Sequence, residues 1–291
     1  MIKSKLKKII KSFLKKKRIK ITREKDPFNL QVYRKTVSEE VLKSSPFYNV
    51  GAGSFYHPYW KNIDFASDWY GGVQKNFIHH DLMSGNPLPL ADKSAKLIYT
   101  SHTIEHIKEN AVKLFFSEAY RVLEAGGVFR IQTGPDAITN FRALQANDED
   151  WFYWDNNYVK KGSYEHNFFN PATSVSLAER WLHHVAGPLA KNDISPSKIK
   201  FNEEEINAII KEKGFPDCLD YFCSLVEFDP NRPGNHICWW SHDKIITFLQ
   251  EAGFKNVYRS GCNQSVSPLM RNSVLFDHTH PQISIYVEAI K

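Results

Sequence analysis

The stretch that most constrains this chain is residues 47–64. Apolar residues lead into Gly51-Ala52-Gly53, and eleven residues beyond Gly53 a second short run, Asn62-Ile63-Asp64, ends in a carboxylate. This spacing predicts a strand, a tight turn, a second strand and an acid at its tip. A glycine at each end of the turn allows backbone conformations that a side chain forbids, and lets a ligand press against the main chain. An acid at the end of the next strand can accept hydrogen bonds from both hydroxyls of a ribose. The dinucleotide version of this motif has a third glycine three residues after the second and an acid about 20 residues further on. Here Tyr56 takes the place of the third glycine and the interval to the acid is short.

Downstream the pattern repeats. Asn76–Asp81 reads as a third strand ending in an acid, and 82–94 as a loop around Pro87-Leu88-Pro89-Leu90. Lys96–Thr100 reads as a fourth strand, followed by Ser101-His102-Thr103. A helix is expected next, with Ile104, Ile107, Ala111, Leu114, Phe115 and Val122 on one face and Gly126-Gly127 stopping it. Val128–Gln132 is a fifth strand. Repeated strand and crossover units indicate a parallel sheet, and such sheets bind ligands at the carboxyl ends of their strands. Gly51, Asp64, Asp81, Ser101, His102 and Asp136 all fall at such ends.

Taken in order, Asn49-Val50-Gly51-Ala52-Gly53, Asn62-Ile63-Asp64, Asp81-Leu82 with Pro87-Leu88-Pro89-Leu90, Ser101-His102-Thr103-Ile104-Glu105-His106-Ile107 and Arg121-Val122-Leu123-Glu124-Ala125-Gly126-Gly127 resemble class I S-adenosylmethionine-dependent methyltransferases of the type 11 group. The resemblance covers residues 46–136 and resumes at 239–257 and 283–289. It implies an α/β fold: a Rossmann-like, mostly parallel seven-stranded sheet with helices on both faces and a helical insertion after the fifth strand. It implies S-adenosyl-L-methionine as cofactor, with Gly51, Ala52 and Gly53 at its methionine part, Asp64 at the ribose, and Asp81 with Leu82 at the adenine; Ser101 is the further cofactor-binding candidate. Two departures stand out. The helix after the glycine turn is truncated or absent, and Ala125 replaces a proline before Gly-Gly.

The expected organisation is a basic tail (1–25), a cofactor-binding core (26–136), a helical substrate-cap insertion (137–238) and a C-terminal completion of the core (239–291). The insertion is rich in aromatic and histidine residues, among them Trp151-Phe152-Tyr153-Trp154, Trp181 and His183-His184; its rings either fill a separate small core or cap the cofactor edge. Glu203–Lys213 reads as a helix ended by Gly214, and His242–Glu251 as one capped by Ser241, with final strands near Val257 and over Ile283–Val287.

Charge separates the tail from the body. Residues 1–25 hold 12 Lys/Arg and one acid, whereas the rest holds 26 Lys/Arg against 31 Asp/Glu, net −5. Ile2, Leu6, Ile9, Ile10, Phe13 and Leu14 form a helical apolar stripe interrupted by lysines, too broken for a membrane span. The tail is either a solvated extension or an interfacial helix on anionic lipid. The acidic body, and the lack of an Asn-Pro-Pro-Tyr-like run after strand four, argue against a nucleic-acid partner. The four cysteines make no C-x-x-C pair and read as free thiols of a reducing, cytoplasmic compartment, with contact at the inner membrane face if the tail docks.

Methyl transfer to a hydroxyl needs alignment and a proton acceptor, and a neutral histidine suits the second task. His102, Glu105 and His106 are the catalytic candidates, with Asp136, His166 and His236 as alternatives. His102-Thr103-Ile104-Glu105-His106 also spells an H-x-x-E-H zinc pattern, but its place at a strand-to-helix junction argues against that use, and no metal is expected. His79 and His80, neighbours on a strand, point to opposite faces and cannot readily share an ion. The resemblance to members found in surface-polysaccharide pathways implies O-methylation of a sugar, nucleotide sugar or phosphorylated precursor. The rivals are a nucleic-acid or protein methyltransferase, a catalytically silent scaffold, and a nicotinamide dehydrogenase.

Overall fold

The computed structural model describes residues 26–66, 77–152, 175–191 and 193–291. The tail, Asn76, His166 and Tyr153-Trp154 lie outside the described residues. Two short helices, α1 (Leu30–Thr36) and α2 (Glu39–Ser44), precede the sheet; Ser38 caps α2 by accepting from the Val41 amide. The strands are β1 (Phe47–Val50), β2 (Lys61–Asp64), β3 (Phe77–His79), β4 (Ala95–Ser101), β5 (Leu123–Pro135), β6 (Asn256–Arg259) and β7 (Ser284–Ile290). They form one seven-stranded sheet in the order β3-β2-β1-β4-β5-β7-β6, with β7 antiparallel to both neighbours. The chain runs from β1 outward to β3, then returns to the other side of β1 as β4. The crevice between the carboxyl ends of β1 and β4 is therefore the switch point where such sheets bind ligands.

Alternation along the strands divides the apolar residues between two faces. Ile98, Phe129 and Val287 face helices α3 (Glu109–Val122) and α8 (His242–Glu251), meeting Phe115, Phe116, Ile245 and Leu249. Each such fully buried side chain contributes about 1.5–3 kcal/mol. Phe47, Leu97, Tyr99 and Val128 face the other way, against Tyr33, Trp60, Met270 and Phe276. That second face is covered by α1 and by the segment between β6 and β7. The expected absence of a helix after the glycine turn explains why. Only ten residues separate β1 from β2, fewer than a helical crossover between parallel strands requires. Phe55, Tyr59 and Trp60 anchor this short link in the aromatic layer instead. Trp60 Nε1 donates to the Tyr33 hydroxyl at 2.6 Å, and that hydroxyl donates to the Leu269 carbonyl at 3.1 Å.

Arg130, wholly buried on β5, holds the β6–β7 segment down. It pairs with Asp277 and with Glu288, opposite it on β7, and donates to the Gly261 carbonyl at 2.8 Å. Burial alone would weaken its hold on its proton; the two buried carboxylates reverse that and keep it charged.

The insertion contains α4 (Ala137–Gln145), α5 (Leu177–Ala186), α6 (Glu203–Lys213) and α7 (Asp217–Ser224). They enclose an apolar cluster of their own, with Phe141, Phe152, Trp181, Leu182, Leu219 and Phe222 inside. Its described aromatics largely fill this core. The bounds of α6 and α8 match the sequence reading, and their caps, Asn202 and Ser241, each accept from a backbone amide in the first turn.

Two expectations are corrected. No single helix follows β4: His102 adopts a left-handed conformation (φ 48°), Ile104–His106 make a 3-10 turn, and α3 starts only at Glu109. Its buried face is Ala111, Val112, Phe115, Phe116, Ala119 and Val122, with Leu114 only half-buried. Nor does Gly126-Gly127 stop the helix. The helix ends at Val122 and passes directly into β5, which is longer than expected. The two glycines lie where the β4–β5 register shifts, Gly126 at φ 78°, a conformation suited to glycine. Among the described residues, no helix is long and apolar enough to cross a membrane.

Removing Asp277 leaves a buried guanidinium with only part of its counter-charge. Asp277→Ala is expected to lower unfolding stability by about 3–5 kcal/mol, read from urea denaturation; a loss under about 1 kcal/mol would contradict this role for the pair.

Candidate active site

The glycine turn is shaped by its neighbours. The Gly51 amide donates to the Ile63 carbonyl at 2.9 Å, which ties the end of β1 to β2. Gly51 has φ 68°, and a Cβ there would sit 2.2 Å from Thr103 Oγ1. No larger residue fits. Gly53 (φ 50°) faces open space instead. Asp64 closes the turn: Oδ2 accepts from the Gly53 amide at 2.6 Å, and Oδ1 from Phe65 at 2.7 Å. Burial pushes its carboxyl up, and these amide hydrogen bonds offset the push only in part.

A cavity of about 450 Å³ opens at this switch point, within the range typical of small-molecule sites. All seven cofactor-binding candidates line it: Gly51, Ala52, Gly53, Asp64, Asp81, Leu82 and Ser101. Asp81 lies just beyond β3 and caps the 3-10 turn Leu82–Ser84, accepting from the Met83 amide at 2.8 Å. The Ser101 hydroxyl donates to Gln132 Oε1 at 2.7 Å, an acceptor shared with the Tyr99 hydroxyl. Asn49 also lines the cavity, and its buried Oδ1 has no hydrogen-bond partner. Such an orphan acceptor is costly unless a donor reaches it. Asn49 and Thr103 fall within the motifs that carry the resemblance, but the approach of Thr103 to the glycine turn, 52 positions away, has no signal in the sequence.

The three catalytic candidates gather at one side. His102 and His106 line the cavity, while Glu105 lies beneath, 3 % exposed. Glu105 accepts from Thr133 Oγ1 at 2.7 Å and from the Gly134 amide at 3.0 Å, and stands 3.0 Å from His102 Nδ1. Burial alone would raise its carboxyl; the His102 hydrogen bond and the imidazole charges around it pull it well below the usual range. His102 is engaged at both nitrogens, because its Nε2 lies 2.9 Å from Ser284 Oγ and 3.2 Å from the Thr279 carbonyl. His106 differs. Its Nδ1 sits 3.1 Å from the Asn235 carbonyl. A carbonyl only accepts, so Nδ1 must donate, and the neutral ring keeps its lone pair on Nε2.

His236 repeats this geometry, with Nδ1 donating to the His184 carbonyl at 3.1 Å. Its ring is 5.0 Å from that of His106. Burial, then the repulsion a proton there would meet from the neighbouring His106 imidazole, pulls its pKa down to about 3, so it is neutral at ordinary pH. Asp136, by contrast, is occupied structurally. It caps α4 through the Thr139 amide and accepts from the His242 amide at 3.1 Å. Burial would raise its carboxyl, but the His242 imidazole, 3.1 Å away, and then these two amides hold it at about 2. His79 is exposed, while His80 is half-buried and lines the cavity. His102 and His106 do not share a helix face as the H-x-x-E-H reading requires, since the left-handed residue and the 3-10 turn intervene. The four cysteines are free thiols.

The profile of the methyltransferase-domain family matches residues 59–131. That span holds Asp64, Asp81, Ser101 and the three catalytic candidates, and starts after the shortened turn. A probable S-adenosylmethionine-dependent methyltransferase of Mycolicibacterium smegmatis is 35% identical over 79 residues, which are 26% of this chain and 30% of the relative. The chain thus matches under a third of that relative's length. Among solved structures, an S-adenosylmethionine-dependent methyltransferase of Archaeoglobus fulgidus aligns at 10% identity and TM-score 0.37, covering 84% of this chain and 85% of that one. One from Mesorhizobium loti aligns at 14% identity and TM-score 0.35, covering 84% and 90%.

Gly51→Ala is expected to cost about 2 kcal/mol or more, from the left-handed backbone and the clash together. Thr103→Gly in the same chain should recover part of the loss. A thermal double-mutant cycle reads the coupling; strictly additive effects would show that the Gly51–Thr103 approach does not constrain the turn.

Proposed function

We propose that this protein is an S-adenosylmethionine-dependent methyltransferase that methylates an oxygen of a small polar acceptor, a sugar, nucleotide sugar or phosphorylated precursor of a surface polysaccharide. The observation that carries the reading is convergence. Groups from the ends of four separate strands meet on one cavity at the switch point: the glycine turn after β1, Asp64 on β2, Asp81-Leu82 after β3 and Ser101 on β4.

The residues present fit the cofactor. The turn leaves room at Gly53 for a ligand against the main chain. The half-buried Asp64 carboxylate has lone pairs beyond those used by the two amides, suited to ribose hydroxyls. Asp81 and Leu82 offer an acceptor and an apolar wall for adenine. The orphan Asn49 Oδ1 suits a donor such as an ammonium. When bound, S-adenosylmethionine supplies an electrophilic methyl group on a positively charged sulfur, which departs as a neutral thioether. The chain's own task is to align the acceptor oxygen in line with that bond and to provide for loss of its proton. His102, Glu105 and His106 are the groups on hand. At the rim, Tyr56 and Val274 are exposed and Phe228 and Pro233 line the cavity; an aromatic and apolar rim beside polar groups suits a sugar ring. The apolar stripe of residues 1–25 with lysines around it supports contact with an anionic membrane surface.

Isothermal titration tests the cofactor. S-adenosylhomocysteine is expected to bind one per chain, and Asp64→Ala to weaken it at least about tenfold, by loss of hydrogen bonds to a charged group. Absence of binding to the intact chain, or tighter binding of a nicotinamide dinucleotide, would overturn the reading.

A further inference from the structure

Glu105, His106 and His236 do more than stand near one another. Their ligand atoms, one carboxylate oxygen and two imidazole nitrogens, all lie within 4.8 Å of each other. We propose that these three residues form a binding site for one divalent transition cation, with Zn²⁺ the best match to the donor set, at the acceptor side of the cavity.

Four features support the site. The first is the direction of the lone pairs. In both histidines Nδ1 donates to a backbone carbonyl, of Asn235 for His106 and of His184 for His236, so both neutral rings carry their lone pair on Nε2. A carbonyl behind the second ring nitrogen is the usual way a protein fixes a ligating histidine. The second is the support of the carboxylate. Thr133 Oγ1, the Gly134 amide and His102 Nδ1 orient Glu105 from behind, and three hydrogen bonds leave a carboxylate capacity for one more partner. The third is charge. Among the described residues, no Lys or Arg ion-pairs with Glu105, whereas the other wholly buried carboxylates of β7 and the β6–β7 segment share Arg130. A buried carboxylate paired only with imidazoles, which carry charge only when protonated, is favoured by the added charge of a cation. The fourth is rigidity. The Glu105 carbonyl accepts from the Ile237 amide at 2.9 Å and the Cys238 amide at 3.2 Å, and the His236 carbonyl from Gly187 at 3.0 Å, so the two ligand-bearing segments are stapled together.

Two imidazoles and one carboxylate suit Zn²⁺ and its transition-metal neighbours, and not the all-oxygen shells of Ca²⁺ or Mg²⁺. Tetrahedral ligation brings donor atoms to about 3.3 Å from one another, inside the 4.8 Å that bounds the observed spacing. Three protein ligands leave one position open, the arrangement of catalytic rather than structural zinc. His106 lines the cavity, so the open position can meet an acceptor oxygen and ease loss of its proton. Nε2 of His106 then carries the cation and does not act as a base. The ligand set stands independently of the proposed methyl transfer; only its use on an acceptor oxygen rests on that reading.

The test uses the full-length chain, stripped with chelator and titrated with Zn²⁺ alone. One Zn²⁺ per chain is expected, and Co²⁺ in its place should give the visible absorption bands of a low-coordinate site. His236→Ala and Glu105→Gln, each checked for folding by circular dichroism, should weaken Zn²⁺ at least about 100-fold, and His102→Ala, which only positions Glu105, about 10–100-fold. S-adenosylhomocysteine binding is measured on the same samples. Retention of that binding in folded His236→Ala while Zn²⁺ is lost supports the site. No stoichiometric Zn²⁺ in the intact chain, or unchanged Zn²⁺ affinity in both ligand variants, overturns it whatever the cofactor result. Zn²⁺ binding without S-adenosylhomocysteine binding leaves the site standing and removes the methyltransferase reading.

Discussion

The approach of Thr103 to Gly51 is the constraint from which the site follows. A side chain at position 51 would strike Thr103 at 2.2 Å, so the end of β1 and the first residues after β4 can pack together only through a glycine. That contact sets the floor of the switch-point crevice. It leaves Gly53 facing open space, lets Asp64 reach the Gly53 amide, and fixes where His102, Glu105 and His106 emerge. The left-handed backbone at His102 belongs to the same constraint, because the chain must turn sharply off β4 to bring Thr103 over the glycine.

The second face of the sheet is built unconventionally for a fold of this rhythm. With no helix between β1 and β2, an aromatic layer anchored by Tyr33 and Trp60 and a segment held by Arg130 take its place. That segment also delivers Thr279 to His102, beside Ser284 at the start of β7. The buried pair of Arg130 with Asp277, which is bonded to the cavity-lining Tyr99 and precedes the cavity-lining His278 and Thr279, therefore helps orient one of the crevice's histidines.

Much of this was legible in the sequence because strand ends announce themselves. The glycine pair, the acids Asp64 and Asp81, and Ser101 each follow a short apolar run, and all line one cavity. The bounds of α8 were readable because Ser241 and Gly253 punctuate an apolar period. The region after β4 was misread for a physical reason. Ile104 and Ile107 fit a helical stripe, but the demand for contact with Gly51 overrides that local pattern and delays the helix to Glu109. Gly126-Gly127 was misread because a bulge and a helix stop use the same glycine signal. The meeting of His236 with Glu105 and His106 was invisible, as 130 residues separate them and only the packing of the insertion on the core brings them together.

The central claim is that one crevice, formed by the glycine turn, Asp64 and Asp81, holds an adenosyl cofactor beside the Glu105–His106 side. A crystal of the full chain grown with S-adenosylhomocysteine tests it most directly. The account predicts density for the ribose at Asp64, the adenine against Leu82 and the amino-acid end near Asn49. Density for the ligand anywhere else on the molecule, or a crevice that stays filled with water at saturating ligand, would contradict it.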